Sequence, residues 1–297
     1  MGKKVKAKLY FILSMVIFGA VGVFAKYIEL SSIEIALSMS LIGSLLLFLI
    51  SILTKSPVSW RNMRRNAAAL CIASLALGGN WIFLFQSYKE TTIANAALSY
   101  YFAPVLVTVL SPLVLKEKLS LKKIACVCGA LLGLILILQS GSREDENGHH
   151  LVGIAYGLIA AAFYAVLTLT NKFIKGMNGM ETTIAQLLLS SILLVPFLLI
   201  MGEHSGLSRL SGSSLILIVL LGILHAGVGF YLFFSGMKGL DGQSIAILSY
   251  VDPLTSLLIS ALVIGEAMTL VQVAGAILLL GSTFVSEVNL RLKSLQS

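Results

Sequence analysis

Charge is what this chain has least of. Its 297 residues include 21 basic and 13 acidic ones, 11% in all, where soluble domains carry about 25%. So few charges cannot cover a water-facing surface, which excludes an ordinary soluble domain. Cysteine is scarce as well: Cys71, Cys126 and Cys128 all sit in apolar runs. Cys126-x-Cys128 has neither the spacing nor the second pair of a zinc site, so the three read as small packing residues. There is no dinucleotide-binding loop and no low-complexity tail, and no cofactor or metal is implied. The only polar stretches of any length are the 141–150 loop and the 202–212 linker.

What fills the chain is apolar sequence. It is 58% hydrophobic with a mean hydropathy of +0.97. Apolar runs recur at 9–28, 33–54, 67–88, 92–115, 121–140, 151–173, 181–201, 214–236, 243–264 and 269–288. Each is near the ~20 residues that cross a hydrocarbon core as a helix. Backbone groups in lipid must be satisfied internally, and a barrel would show ~10-residue alternating segments instead. The expectation is an all-α integral membrane protein of ten transmembrane helices, with the lipid bilayer as its first partner. The N-terminal KKVKAK before an apolar run mimics a signal peptide, but that run lacks a convincing cleavage site and aligns with the sixth, so it counts as a span.

The basic residues orient the helices. With the N-terminus inside, 17 of the 21 fall on the inner side and four (Lys26, Lys89, Arg143 and Arg209) on the outer side. The positive-inside rule then selects a multi-pass protein of the cell (plasma) membrane with both termini cytoplasmic. The net charge of +8 is a mark of this topology and does not point to nucleic acid as a partner.

Residues 85–125 and 234–274 are faint copies of one another, 149 positions apart. They share, among others, Phe85/Phe234, Tyr101/Tyr250, Pro104/Pro253, Glu117/Glu266 and Ala125/Ala274. Five helices per half make the second half enter from the opposite side, so 1–145 and 146–297 read as two inverted five-helix repeats. The KEKLSLKK turn of the first copy is basic, and its counterpart GEAMTLVQ has lost every lysine, as inversion demands.

The segments NWIFLFQSYKETTIANAALSYYFAPVL…KEKLS and HAGVGFYLFFSGMKGLDGQSIAILSYVDPL…GEAMT resemble those of the drug/metabolite transporter superfamily, in its EamA-type ten-helix branch. The resemblance covers essentially the whole chain. It implies a secondary transporter working by alternating access, usually an exporter of amino acids, other small metabolites or drugs. The first helix carries Phe18-Gly19 where many relatives have Trp-Gly.

Asp252 is the only acidic residue near the middle of any predicted helix, and an ionisable group at that depth is a functional candidate by default. Ser249, Asp252, Ser256 and Ser260 share a helical face. Pro253 leaves the Ser249 carbonyl without its helical partner, a natural seat for a cation or ammonium beside the carboxylate. The alternative is a packing role for Asp252. His225, the only histidine in a predicted span, lies at a similar depth, so a His225–Asp252 pair for proton coupling is one expectation and a His bonded to a nearby carbonyl is the other. Pro104 and Pro253, at matched positions, are the expected hinges, each with a tyrosine three residues before it on the same face, Tyr101 and Tyr250. Trp81 with Asn80, Phe18 and Tyr164 complete the candidate substrate-binding set, interhelical packing being the alternative for each aromatic.

Gly129-x-x-x-Gly133 and Gly153-x-x-x-Gly157 are expected helix contacts, the first also suiting a homodimer; monomer and homodimer both remain open. Glu117 and Glu266 are expected to anchor turns, and Lys89 and Lys238 to snorkel. A facilitator or importer of the same fold is the alternative function. An intramembrane aspartyl protease needs two carboxylates sharing a proton, and only one is here; His225 alone is too little for other hydrolytic chemistry. The reading is therefore a transporter of a small-molecule substrate and not an enzyme.

Overall fold

A computed structural model describes residues 3–55, 58–116, 120–141, 149–201, 211–237, 239–240 and 242–294, and all regular structure among them is helical. Glu117, Lys238 and most of the 141–150 loop and the 202–212 linker lie outside the described residues. The segments are α1 (Lys3–Gly19 and Val21–Tyr27), α2 (Ser32–Leu53), α3 (Ala67–Glu90), α4 (Ile93–Tyr100 and Ala103–Leu115) and α5 (Leu121–Gly141). They continue as α6 (His149–Asn171), α7 (Gly179–Met201), α8 (Gly212–Met237), α9 (Gly242–Ser249 and Val251–Ile264) and α10 (Leu270–Ser294). A short surface helix, Trp60–Arg65, joins α2 to α3. Among the described residues eight helices, α1 to α8, are long and apolar enough to cross a membrane; the apolar parts of α9 and α10, Val251–Ile264 and Leu270–Ser286, are shorter.

Helix contacts occur in matched sets. α1 packs on α8 as α3 packs on α6, α1 on α9 as α4 on α6, and α2 and α5 pack on their own counterparts α7 and α10. Such pairing follows from a two-fold relation between the halves. The counterparts are antiparallel. On α5 and α10, Gly129 abuts Ser282 while Gly133 abuts Gly275 and Leu279. A two-fold along the membrane normal would make counterparts parallel, so the halves are inverted. The same antiparallel course holds for α3 and α6, where Asn80 Nδ2 donates to the Ala160 carbonyl at 2.8 Å and Ser87 Oγ to that of Gly153 at 2.7 Å.

Glycines set the closest approaches. A Cβ on Gly133 would stand 2.6 Å from the Gly275 carbonyl oxygen, and one on Gly153 2.6 Å from Thr91 Cβ. The Gly129/Gly133 face is thus used up inside the chain, against α10. Cys71 and Cys128 are exposed, so they are not the packing residues expected; the apolar runs around them point outward as well as inward.

The helices that carry Pro104 and Pro253 are each broken two or three residues before the proline, and they end alike. α4 breaks at Tyr101–Phe102, where the Phe102 N–H turns back to the Ser99 carbonyl (3.3 Å), and α9 breaks at Tyr250. Each proline lacks the N–H that would bridge the break. α4 ends on Lys116 (φ 57°) and α9 on Gly265 (φ 76°), left-handed residues 149 positions apart. The polar face expected along α9 is therefore divided: Ser249 closes the first piece and Asp252 opens the second.

Candidate functional site

Between the halves lies a cavity of about 560 Å³, walled by α1, α3, α4, α6, α7, α8 and α9, within the roughly 300–1,000 Å³ of small-molecule sites. Phe18, Asn80, Trp81, Tyr101, Tyr164, His225, Ser249 and Asp252 all line it. Tyr250 does not. It lines a second space of about 500 Å³, shared with Pro104 and Pro253, and meets Phe284 edge to face at 5.0 Å. Tyr100, Tyr101, Tyr164, Ser249 and Asp252 border both spaces.

Two clusters form the walls. In one, Phe18 stands 4.9 Å from His225 and 5.2 Å from Phe230, ring centre to ring centre, and Trp81 lies 6.3 Å from His225. His225 sits on a π-helical stretch, Gly222–Gly229. Gly229 faces Phe18, and Ala226 fits against Gly43 of α2, so small residues hold α8 close to both neighbours. π-helical turns are rare and recur at functional sites. In the other cluster, Tyr100 packs against Tyr101 and Tyr164, both at 5.7 Å, and the Tyr101 hydroxyl donates to Asp252 Oδ1 at 2.5 Å.

No hydrogen bond joins His225 to Asp252 among the described residues. His225 Nδ1 is buried without a partner, and Asp252 is held by Tyr101. Asn80 lines the cavity with its amide nitrogen already committed to α6. Asp252 is the one formally charged side chain among the described lining residues.

The two ends of the cavity differ. It runs to the α6–α7 turn, where Asn171, Ile174, Met177 and Gly179 line it. At the other end Glu266, expected only to anchor its own turn, ties the halves together. It pairs with Lys26 at the end of α1, accepts the Ile93 N–H that opens α4 at 2.7 Å, and accepts the Ser260 hydroxyl at 2.6 Å. Lys89 donates to the Leu30 carbonyl there. His150 meets Thr91 Oγ1 (2.6 Å) and Asn95 Nδ2 (2.7 Å), and Gln272 Nε2 donates to Asn95 Oδ1 at 3.2 Å.

Sequence reasoning passed over Tyr88, Tyr100, Phe233 and Gln186, which also line the cavity. Gln186, 4% exposed, carried a usable signal, since a lone amide inside an apolar helix is costly. The aromatics carried none, because a ring in a spanning helix is as often turned to lipid.

Residues 5–139 and 151–287 each match the EamA-like transporter family. The uncharacterized transporter YxxF of Bacillus subtilis is 30% identical over 279 residues, covering 93% of this chain and 88% of its own. The uncharacterized inner membrane transporter YicL of Salmonella typhimurium is 25% identical, covering 98% of both chains. A probable amino-acid metabolite efflux pump of Salmonella typhimurium is 23% identical, covering 72% of this chain and 74% of its own. A solved crystal structure, 21% identical, superposes with a TM-score of 0.63 over 94% of this chain and 97% of that one, a likeness of fold. With the family matched in each half and a cavity between the halves, this chain belongs to the EamA-like transporter family.

Proposed function

We propose that the chain exports a small metabolite across the cell membrane by alternating access, with the cavity between its repeats as the substrate site and protons as the driving ion. The observation that carries this is the cavity itself: about 560 Å³, reaching the α6–α7 turn, with the halves tied together at the other end by the Glu266 contacts. Secondary transporters place their sites at the repeat interface, between discontinuous helices, and α4 and α9 are both broken beside it. The positive-inside expectation makes the α6–α7 end cytoplasmic, where an exporter loads. The Salmonella efflux pump named above supports the direction.

Asp252 is the group that exchanges a proton for substrate. It is a single carboxylate, half-buried where both spaces meet, and Tyr101 fixes its orientation. His225, wedged among rings with an unpartnered nitrogen, relays the proton through water and not by direct contact. Pro104 and Pro253 lie where the helices bend. One carboxylate and one histidine fall short of hydrolytic machinery, so the chemistry is movement of solute and not its conversion.

The test is flux in proteoliposomes. Labelled amines or amino acids, one class or both, should accumulate against a concentration difference when a pH gradient is imposed. Asp252→Asn should abolish that dependence and His225→Ala should weaken it. Full proton dependence in both variants would overturn the coupling role, and gradient-independent, non-saturable flux in the parent protein would overturn the transporter itself.

A further inference from the structure

Resting on the transport reading of the central cavity, we infer that its substrate is a singly charged organic cation, an amine carried on an apolar or aromatic body, paired with Asp252. The first ground is charge. Among the described residues lining the cavity there is no lysine or arginine and Asp252 is the one acidic residue, Lys172 lining only the second space. An amino acid would bring a carboxylate as well as an ammonium, and an unpartnered buried carboxylate is expensive.

Several first-turn N–H groups beside the cavity are already committed. Helix N-termini are the usual anion seats, and the second pieces of α4 and α9 both start beside the cavity. In α4, Pro104 has no N–H, and those of Val105 and Leu106 return to the Phe102 carbonyl at 3.0 and 3.3 Å. In α9, Pro253 has none, and the Leu254 N–H goes to the Tyr250 carbonyl at 3.2 Å. Asp252 lies in the first turn of that piece, where its own negative charge meets the positive helix end. A second anion there would be repelled.

The second ground is geometry. Tyr101 is the one hydrogen-bond donor to Asp252 among the described residues, and it takes Oδ1, leaving Oδ2 for an ammonium. Rings wall the chamber around Asp252, with Phe18, Trp81, Phe230 and Phe233 in one cluster and Tyr100 and Tyr164 in the other, while the neutral polar side chains Asn171, Thr182, Thr183 and Gln186 line its α6–α7 end. Ring faces attract a cation and enclose an apolar body. His225 stands among those rings and adds no fixed charge.

Three probes with one ring and different charges test this: phenylethylamine, phenylalanine and phenylacetate. The chain has two tryptophans, and Trp60 is exposed on the surface helix. Trp60→Phe therefore leaves Trp81 fluorescence as a report of occupancy in the purified protein. Phenylethylamine should quench it saturably, with phenylalanine and phenylacetate binding at least about tenfold more weakly. Asp252→Asn should weaken the amine by roughly tenfold or more, while Asp252→Glu, which keeps the charge, should restore most of it and show that the site is folded. Phenylalanine or phenylacetate binding as tightly as the amine overturns the inference, as does unchanged amine binding in Asp252→Asn or quenching by none of the three. Gradient-driven phenylalanine flux in liposomes would overturn the cation class while leaving the transporter reading intact.

Discussion

Asp252 survives inside an apolar bundle because its surroundings are specific to it. A charged residue at the centre of a spanning helix costs about 2.5–3.5 kcal/mol on insertion scales. Tyr101 offsets part of this with a short hydrogen bond, and the positive end of the second α9 piece offsets more. Asp252 was legible in the sequence because mid-span acids are rare. Its pairing was not: Tyr101 stood out beside Pro104, but it lies 151 residues away and no local pattern joins it to Asp252. The backbone of Asp252 is fixed as tightly as its side chain. A Cβ on Gly19 would lie 2.5 Å from the Asp252 carbonyl oxygen and 2.8 Å from Thr255 Cβ. Gly19→Ala should therefore push α1 from α9 and destabilise the protein by about 1–3 kcal/mol. Gly281→Ala, with open space around its Cβ, should change stability by less than about 0.5 kcal/mol. Unfolding in detergent followed by intrinsic fluorescence measures both, and equal values would show that the α1–α9 contact is loose.

The informative elements are the ones that are not simple helices. α4 and α9 are broken before matched prolines, and the breaks turn Tyr101 and Asp252 toward each other across the halves. The prolines announced those breaks. The π-helical stretch under His225 had no such signal, because it depends on how closely α8 approaches α1 and α2. The turn between α9 and α10 does more than its sequence suggested. Glu266 stands at the N-terminus of α4, where it accepts the Ile93 N–H and favours the helix dipole. The Lys26–Glu266 pair, with side chains 33% and 11% exposed, contributes modestly alone, about 0–1 kcal/mol, but the three contacts together hold α1, α4 and α9 at one end. Glu266→Gln should loosen that closure. In a cysteine-free background, Leu84→Cys, which lines the cavity, should resist an impermeant thiol reagent applied from the Lys26 side. It should become labelled when Glu266→Gln is added. Equal labelling with and without Glu266→Gln would mean that other contacts close this end.

At the scale of the whole molecule, the paired contacts of α1 with α8 and α3 with α6 describe two interlocked halves. The family match in both halves and the antiparallel α5–α10 pair give the same picture independently. The symmetry holds for the scaffold but not for the chemistry. Asp252 and His225 belong to the second half, and the matching positions of the first are Ala103 and Ala76. Likewise Tyr101 faces the central cavity while Tyr250 turns to the second space. The orientation of the assembly has a direct check. The surface helix Trp60–Arg65 sits beside the α6–α7 turn, where Asn62 Nδ2 donates to the Gly176 carbonyl at 2.6 Å. Trp60→Cys, 67% exposed in the parent residue, should be labelled by an impermeant reagent in inside-out vesicles and spared in intact cells. The reverse pattern would place the α6–α7 end of the cavity outside and make import the natural direction.

The sequence by itself determined the class of the fold. Hydropathy and length dictate spanning helices because lipid allows the backbone no other partner. The 149-residue repeat and the uneven lysines set the number and inversion of the halves, and rarity singled out Asp252. Only the tertiary structure decided what meets what. The Tyr101–Asp252 bond, the lack of a His225–Asp252 hydrogen bond among the described residues, the removal of Tyr250 from the central cavity and the Glu266 closure all depend on helix rotation and crossing. Those angles come from packing at Gly19, Gly43 and Gly133 and from the breaks before the prolines, and local sequence does not encode which way a spanning helix is turned.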